Sequence, residues 1–161
     1  MRCIVSPYSR PLRSGNQNAK NYPYWDELIR MLNCVSIETI QIGVSGEQQL
    51  PCKRSMCDAN VNDLTELLTV CEMWISVDNF FQHFANYHKR PGVVLWGKSD
   101  PNIFGYSKNL NLIKDRSLLR PHQFATWDDE ICDPECFLHP HEVFEEMRKV
   151  YDFIGVLAFD L

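Results

Sequence analysis

No apolar run in this 161-residue chain approaches the length of a bilayer span, which excludes a transmembrane helix. The N-terminus also lacks the charged and apolar regions of a secretory signal, so none is expected. Basic residues are in the minority. Lys and Arg number 16 against 21 Asp and Glu, and the formal net charge is −5. A protein that coats a polyanion without regard to sequence needs a basic stripe, and this chain has none. A single small nucleotide, which needs only a few local groups, is not excluded by that balance. There is no internal repeat and no low-complexity segment. The cysteines number seven, an odd count scattered without a disulfide framework, and this fits a reducing compartment such as the cytoplasm.

What is present is the composition of an ordinary globular protein, with 45% hydrophobic and 23% charged residues. The length suits one domain with a sizeable core. The most informative stretch is 74–97, WISVDNFFQHFANYHKRPGVVLWG. WISV has the character of a buried strand. Phe80, Phe84, Tyr87 and His88 then follow helical spacing. Asp78 stands at the junction, where a side-chain oxygen can cap the helix. Pro91-Gly92 ends the helix, and VVLWG reads as the next buried strand. Strand, helix and strand in this order make a βαβ unit of a parallel sheet.

The rest of the chain follows the same alternation. RCIVS at 2–6 is a first strand, followed by a polar loop over 7–20. Pro23 is placed to open a helix, because its missing N–H costs nothing there. Trp25, Leu28, Ile29 and Leu32 form its buried stripe. SIETIQIGV is a second strand, ending in the small-residue loop 43–47. Residues 51–60 look irregular. Asn62 is then expected to cap a helix bearing Leu64, Leu67, Leu68 and Cys71. A strand at 110–113 comes next, and residues 114–138 show no period. Pro140 starts a last helix with Val143, Phe144, Met147, Tyr151 and Ile154 on one face, stopped at Gly155. The expected fold is one α/β domain over 1–161: a single doubly wound, Rossmann-like parallel sheet with helices on both faces. Ligands of such sheets bind beyond the C-terminal strand ends. Here those ends are the loops at 7–20, 43–47, 78–80 and 97–106.

These loops carry groups suited to a nucleoside diphosphate. The first supplies Ser9, Arg10, Arg13 and Lys20, and the second Gly43 and Glu47. The third supplies Asp78 and Asn79, with His83 one turn into the helix. The fourth supplies Lys98, Ser99, Asp100 and Tyr106. Each also has a plainer reading: Lys20 as a solvated charge, Glu47 as an exposed turn residue, Asp78 as a cap and His83 as a packed core residue. Cys132, Cys136, His139 and His141 are of zinc-binding type. Their spacing, C-x3-C-x2-H-x-H, lacks the usual paired knuckles, and the helix at Pro140 draws His141 away, so no metal is expected.

The run ISVDNFFQHFANYHKRPGVVLWGKSDP resembles the lipopolysaccharide heptosyltransferase family of GT-B glycosyltransferases, in its C-terminal, donor-binding domain. KNYPYW at 20–25 resembles that family's K-x-[WY]-P, and IGVSGE at 42–47 its glycine loop. The resemblance implies that Lys20 contacts the donor phosphates, that Glu47 holds the ribose, and that Asp78 and His83 belong to the catalytic helix. One departure stands out. Family members often follow the Asp with Thr-Gly, whereas this chain has Asn79 and Phe80, which narrows the approach to phosphate. The resemblance covers only one half of the family's two-domain architecture, and no counterpart of the acceptor domain is expected within these residues.

Two function classes compete. One is a glycosyltransferase that moves a sugar from a nucleotide sugar to a hydroxyl acceptor, with a partner chain or homodimer supplying the other wall. The other is a non-catalytic nucleotide or nucleotide-sugar binding module. A third reading, an enzyme that decorates nucleic acid, is opposed by the acidic balance. No cofactor beyond the donor is expected, and no metal.

Overall fold

In the computed structural model, which describes residues 1–151, six strands form one all-parallel sheet. β1 (Arg2–Ser6), β2 (Glu38–Gly43), β3 (Arg54–Cys57), β4 (Met73–Val77), β5 (Val93–Trp96) and β6 (Leu110–Ile113) lie in the order 3-2-1-4-5-6. The chain therefore winds one way from β1 to β3 and the other way from β4 to β6. β1 and β4 are neighbours, in register from Cys3 opposite Met73 to Ser6 opposite Ser76. That junction is where doubly wound sheets open a crevice for ligands.

Burial on both faces explains the short apolar strands. Along β4, Met73, Ile75 and Val77 point into one core cluster and Trp74 into the other. The first cluster is covered by α1 (Trp25–Cys34) and α5 (Pro140–Val150), the second by α2 (Val61–Val70) and α3 (Phe80–Tyr87). The stripe Trp25, Leu28, Ile29 and Leu32 is buried as its spacing requires. The doubly wound fold is present.

Several local expectations need correction. Residues 51–60 are not wholly irregular, since they contain β3. Its RSMC is an exposed edge strand, so no apolar run marks it. α1 begins at Trp25, two residues after Pro23, which lies in the preceding turn. α2 is capped by Asn60 rather than Asn62. Asn60 Oδ1 accepts from the Asn62 and Asp63 amides, and the Asp63 carboxylate accepts from the Asn60 amide, a reciprocal box. α3 is capped by Asn79 rather than Asp78, through the Phe81 amide. Its buried face is Phe81, Gln82, Phe84 and Ala85, whereas Phe80 and Tyr87 are 63% and 82% exposed. Aromatics occur all round this helix, so apolarity alone does not define its inner face.

A four-residue helix, α4 (Pro101–Phe104), follows β5. Residues 114–138 contain only two 3-10 turns, Arg116–Leu118 and Pro134–Cys136. In α5, Val143, Phe144 and Met147 are buried, and Tyr151 is the residue after its last turn. Ile154 and Gly155 lie outside the described residues.

Candidate functional site

A cleft of about 510 Å³ opens at the C-terminal ends of β1, β2, β3 and β4. Of the sequence-predicted residues, Ser9, Arg10, Lys20, Gly43, Glu47, Asp78, Asn79 and His83 line it. Arg13, Lys98, Ser99, Asp100 and Tyr106 do not.

The cleft is built by tying the loop after β1 to the start of α3. The Asn79 side-chain amide donates to Ser6 O at 3.0 Å, to Ser6 Oγ at 3.0 Å and to Tyr8 O at 3.1 Å. Ser9 Oγ donates to the Asp78 carbonyl at 2.6 Å, and Ser9 N to Asn21 Oδ1 at 2.8 Å. The Ser9 hydroxyl and the Asn79 side chain thus hold the two loops together. Asn79 does this while also capping the helix.

Lys20 reaches across the same junction. Its Nζ lies 2.7 Å from Asp78 Oδ2, in an approach too oblique for a good hydrogen bond, so charge attraction holds the contact. Asp78 Oδ1 accepts from the fully buried Gln82 amide at 2.9 Å. The Lys20 ammonium also sits 4.9 Å from the centre of the Trp127 ring, which carries Arg120 at 4.2 Å as well.

On the β2 side, Glu47 folds back over its own loop, and its Oε2 accepts from the Val44 amide at 3.1 Å. Gly43 makes room for this, since a Cβ there would stand 2.1 Å from Glu47 Oε2. Beyond β3, Asp58 accepts from the Ser45 amide at 3.0 Å and from the Ser45 hydroxyl. These two bonds, the hydroxyl first, hold the Asp58 carboxyl below its ordinary value. Ile42, Ala59 and Leu64 give this end of the cleft an apolar floor. At the opposite rim, His83 Nδ1 and the Tyr106 hydroxyl are 2.8 Å apart.

The loop after β5 is held by a different part of the chain. Lys98 Nζ lies 3.3 Å from Glu130 Oε2, and Arg116 grips both oxygens of Asp100 at 2.7 and 3.1 Å. Ser99 is buried. No group of three or more metal-ligating side chains occurs among the described residues. His139 heads α5 with its ring stacked 4.8 Å from that of Tyr24, Cys136 is buried, and His141 is exposed.

The lining contains two cations, Arg10 and Lys20, against three carboxylates, Glu47, Asp58 and Asp78. An anionic ligand is therefore not drawn in by a broad field and must be held by short-range groups. Sequence reasoning missed Tyr8, Asp58 and Ala59 in the lining, and Trp127 beside Lys20. Gln82, four residues after Asp78, had a legible signal in its helical spacing.

No protein-family model matches the sequence, and no curated protein matches it. Solved structures do. ADP-heptose lipopolysaccharide heptosyltransferase II of E. coli superposes with a TM-score of 0.64 at 18% identity. The match covers 92% of this chain and 46% of that one. E. coli heptosyltransferase WaaC with ADP gives 0.65 at 14% identity, covering 93% and 44%. The iron-containing dodecameric glycosyltransferase TibC of enterotoxigenic E. coli gives 0.58 at 14%, covering 87% and 36%. The fold is that of one half of a GT-B glycosyltransferase. The chain spans less than half the length of each of these proteins. No helix among the described residues is long and apolar enough to cross a membrane.

Proposed function

We propose that the cleft binds the nucleoside diphosphate of a nucleotide-sugar donor, and that the chain serves as the donor wall of a glycosyltransferase. The observation that carries this reading is the convergence of Lys20, Arg10 and the first turn of α3 at the junction of β1 and β4, with Glu47 one strand away. One of the structures sharing this fold was solved with ADP.

In this reading the diphosphate lies against the free amides of the first turn of α3, where the helix dipole favours negative charge. Lys20 turns from Asp78 to the phosphate, while Gln82 keeps the Asp78 carboxylate in place. Glu47 accepts from the ribose hydroxyls. An acceptor hydroxyl attacks the anomeric carbon, the bond from that carbon to the phosphate oxygen breaks, and the diphosphate departs with the electron pair. Lys20, Arg10 and α3 stabilise the charge it gains. A base on the covering wall, supplied by a partner chain or a second copy, takes the acceptor proton. Lysine, arginine and helix amides do the work of charge stabilisation, so the mechanism needs no metal.

A binding module without transfer is the second reading. What favours it is that every carboxylate of the cleft is already engaged: Asp78 by Lys20 and Gln82, Glu47 by the Val44 amide, Asp58 by Ser45. His83, at the rim, is likewise engaged, with Tyr106.

Calorimetry with ADP, GDP, UDP and their sugar conjugates, with and without EDTA, tests the site. Lys20→Ala is expected to weaken binding at least about tenfold, as loss of a charge-assisted bond implies. Asp78→Ala weakens it by misplacing Lys20, and EDTA changes nothing. Normal binding by both variants would sink the assignment. Transfer is expected only when a second wall covers the cleft, because positioning of the acceptor supplies much of the rate. Ordinary turnover by a proven monomer would refute that part.

A further inference from the structure

We propose that Trp127 is a positioning residue for Lys20, and that residues 120–130 belong to the donor site although they do not line the cleft. The inference rests on the donor-site reading above and adds the part of the chain that holds its buried-edge cation.

Residues 120–130 form neither helix nor strand, so side-chain bonds must hold them. Arg120, 6% exposed, folds the segment on itself. Its Nε donates to the His122 carbonyl at 2.9 Å and its Nη2 to that of Thr126 at 3.1 Å. Gln123 fastens the segment to the loop after β5. Its Nε2 donates to the Lys98 carbonyl at 3.0 Å, and its Oε1 accepts from the Asp100 amide at 2.9 Å. Glu130 adds a second tie to that loop, 3.3 Å from Lys98 Nζ. The segment also meets the loop after β1, where the Asp128 carboxylate accepts from the Arg13 amide at 3.3 Å. Trp127 immediately precedes Asp128, on the side that meets the loop carrying Lys20.

The ring of Trp127 is fixed by the Arg120 guanidinium, 4.2 Å from its centre, and it holds Lys20 Nζ at 4.9 Å. Lys20 therefore has two unlike partners. The Asp78 carboxylate at 2.7 Å is an anion and competes with a phosphate for the same ammonium. The indole has no net charge. It attracts the ammonium through its electron-rich face and leaves the positive charge unneutralised. When Lys20 turns from Asp78 to a phosphate, the ring keeps the side chain at the cleft edge throughout. A lysine free in solvent would lose much rotamer freedom on binding, whereas this one has lost it beforehand. The second ring near Lys20, Phe104 at 5.9 Å, stands at the limit of such contacts and adds little.

Calorimetry with ADP, GDP and UDP, read with the tightest of the three, tests this on a cycle of variants. Trp127→Leu should weaken binding about three- to tenfold, the size of a partly buried cation–π contact. Trp127→Phe retains a ring and should bind more tightly than Trp127→Leu. In the Lys20→Ala background, Trp127→Leu should change affinity by no more than about twofold, because the group it positions is gone. Melting temperatures establish that each variant is folded. If Trp127→Leu is not, Trp127→Met, long and without a ring, takes its place in the cycle. Wild-type affinity in the ringless variant overturns the inference. An equal loss in both backgrounds does so too, since it makes Trp127 a support of the segment and not of Lys20. Trp127→Phe as weak as Trp127→Leu has the same consequence. Each of these results, with Lys20→Ala still weakened, leaves the donor site standing. Absence of binding by all three nucleotides, or normal binding by Lys20→Ala, removes both.

Discussion

Lys20 Nζ lies 2.7 Å from Asp78 Oδ2, with Asp78 only 7% exposed and Lys20 21%. The two residues come from different loops on either side of the junction of β1 and β4, so this pair bridges the line along which the fold opens its cleft. The same contact holds the Lys20 side chain at the edge of the cleft.

Removing that carboxylate should therefore cost stability as well as affinity. Asp78→Ala leaves the buried Gln82 amide and the Lys20 ammonium without their partner. The expected loss is about 1–3 kcal/mol in urea unfolding. Asp78→Asn, which can still accept from Gln82, should lose less. Equal stability of wild type and Asp78→Ala would show that the pair contributes nothing.

Two glycines should respond in opposite ways to the same substitution. At Gly92 a Cβ would stand 2.1 Å from Trp74 Cε2, deep in the core, and Gly92→Ala should destabilise by about 1–3 kcal/mol. At Gly43 the obstacle is the movable end of Glu47. Gly43→Ala should leave stability within about 0.5 kcal/mol yet weaken nucleotide binding by displacing Glu47. Denaturation curves and calorimetry on both variants separate the two effects.

Acid should weaken the fold in part through carboxylates whose values are lowered in the native state. Arg116 holds the Asp100 carboxyl below its ordinary value of 3.8, and the Arg2 amide holds that of Glu72 below 4.5. Ser45 does the same for Asp58. Between the lowered and the ordinary values the unfolded chain binds more protons than the native one. The stability these groups contribute is thus present above the ordinary values and lost as pH falls through the lowered ones. The urea midpoint should decline below about pH 4, and Arg116→Ala should lessen that decline. An unchanged slope would remove Asp100 from the set.

Thiol chemistry should divide the cysteines. All seven lie within the described residues and are free; Cys34 and Cys57 are exposed, while Cys3, Cys71 and Cys136 are buried. Burial pushes the Cys3 thiol well up and that of Cys52 to about 11. With a chromogenic disulfide reagent at neutral pH, Cys34 and Cys57 should react fast and the others slowly. The fast phase should vanish in Cys34→Ser with Cys57→Ser; its survival would contradict the burial pattern.

Much of the architecture was legible in the amino-acid sequence, because burial of a regular element leaves a period in its own residues. Trp25, Leu28, Ile29 and Leu32 define the inner face of α1 whatever packs against it. The apolar runs at 73–77 and 93–96 require strands covered on both sides, and with the helices between them they require a parallel sheet. Lys20, Glu47 and Asp78 could be placed at strand ends for the same reason. β3 could not be read, since an exposed edge strand has no inner face to record. Nor could the choice of Phe81 over Phe80 as the buried ring of α3, which the contact with Trp74 decides. Only the tertiary structure pairs Lys20 with Asp78, turns Lys98 and Asp100 to Glu130 and Arg116, and brings Asp58 into the cleft. Such pairings depend on how distant loops cross at the end of the sheet, and a local period carries no record of that.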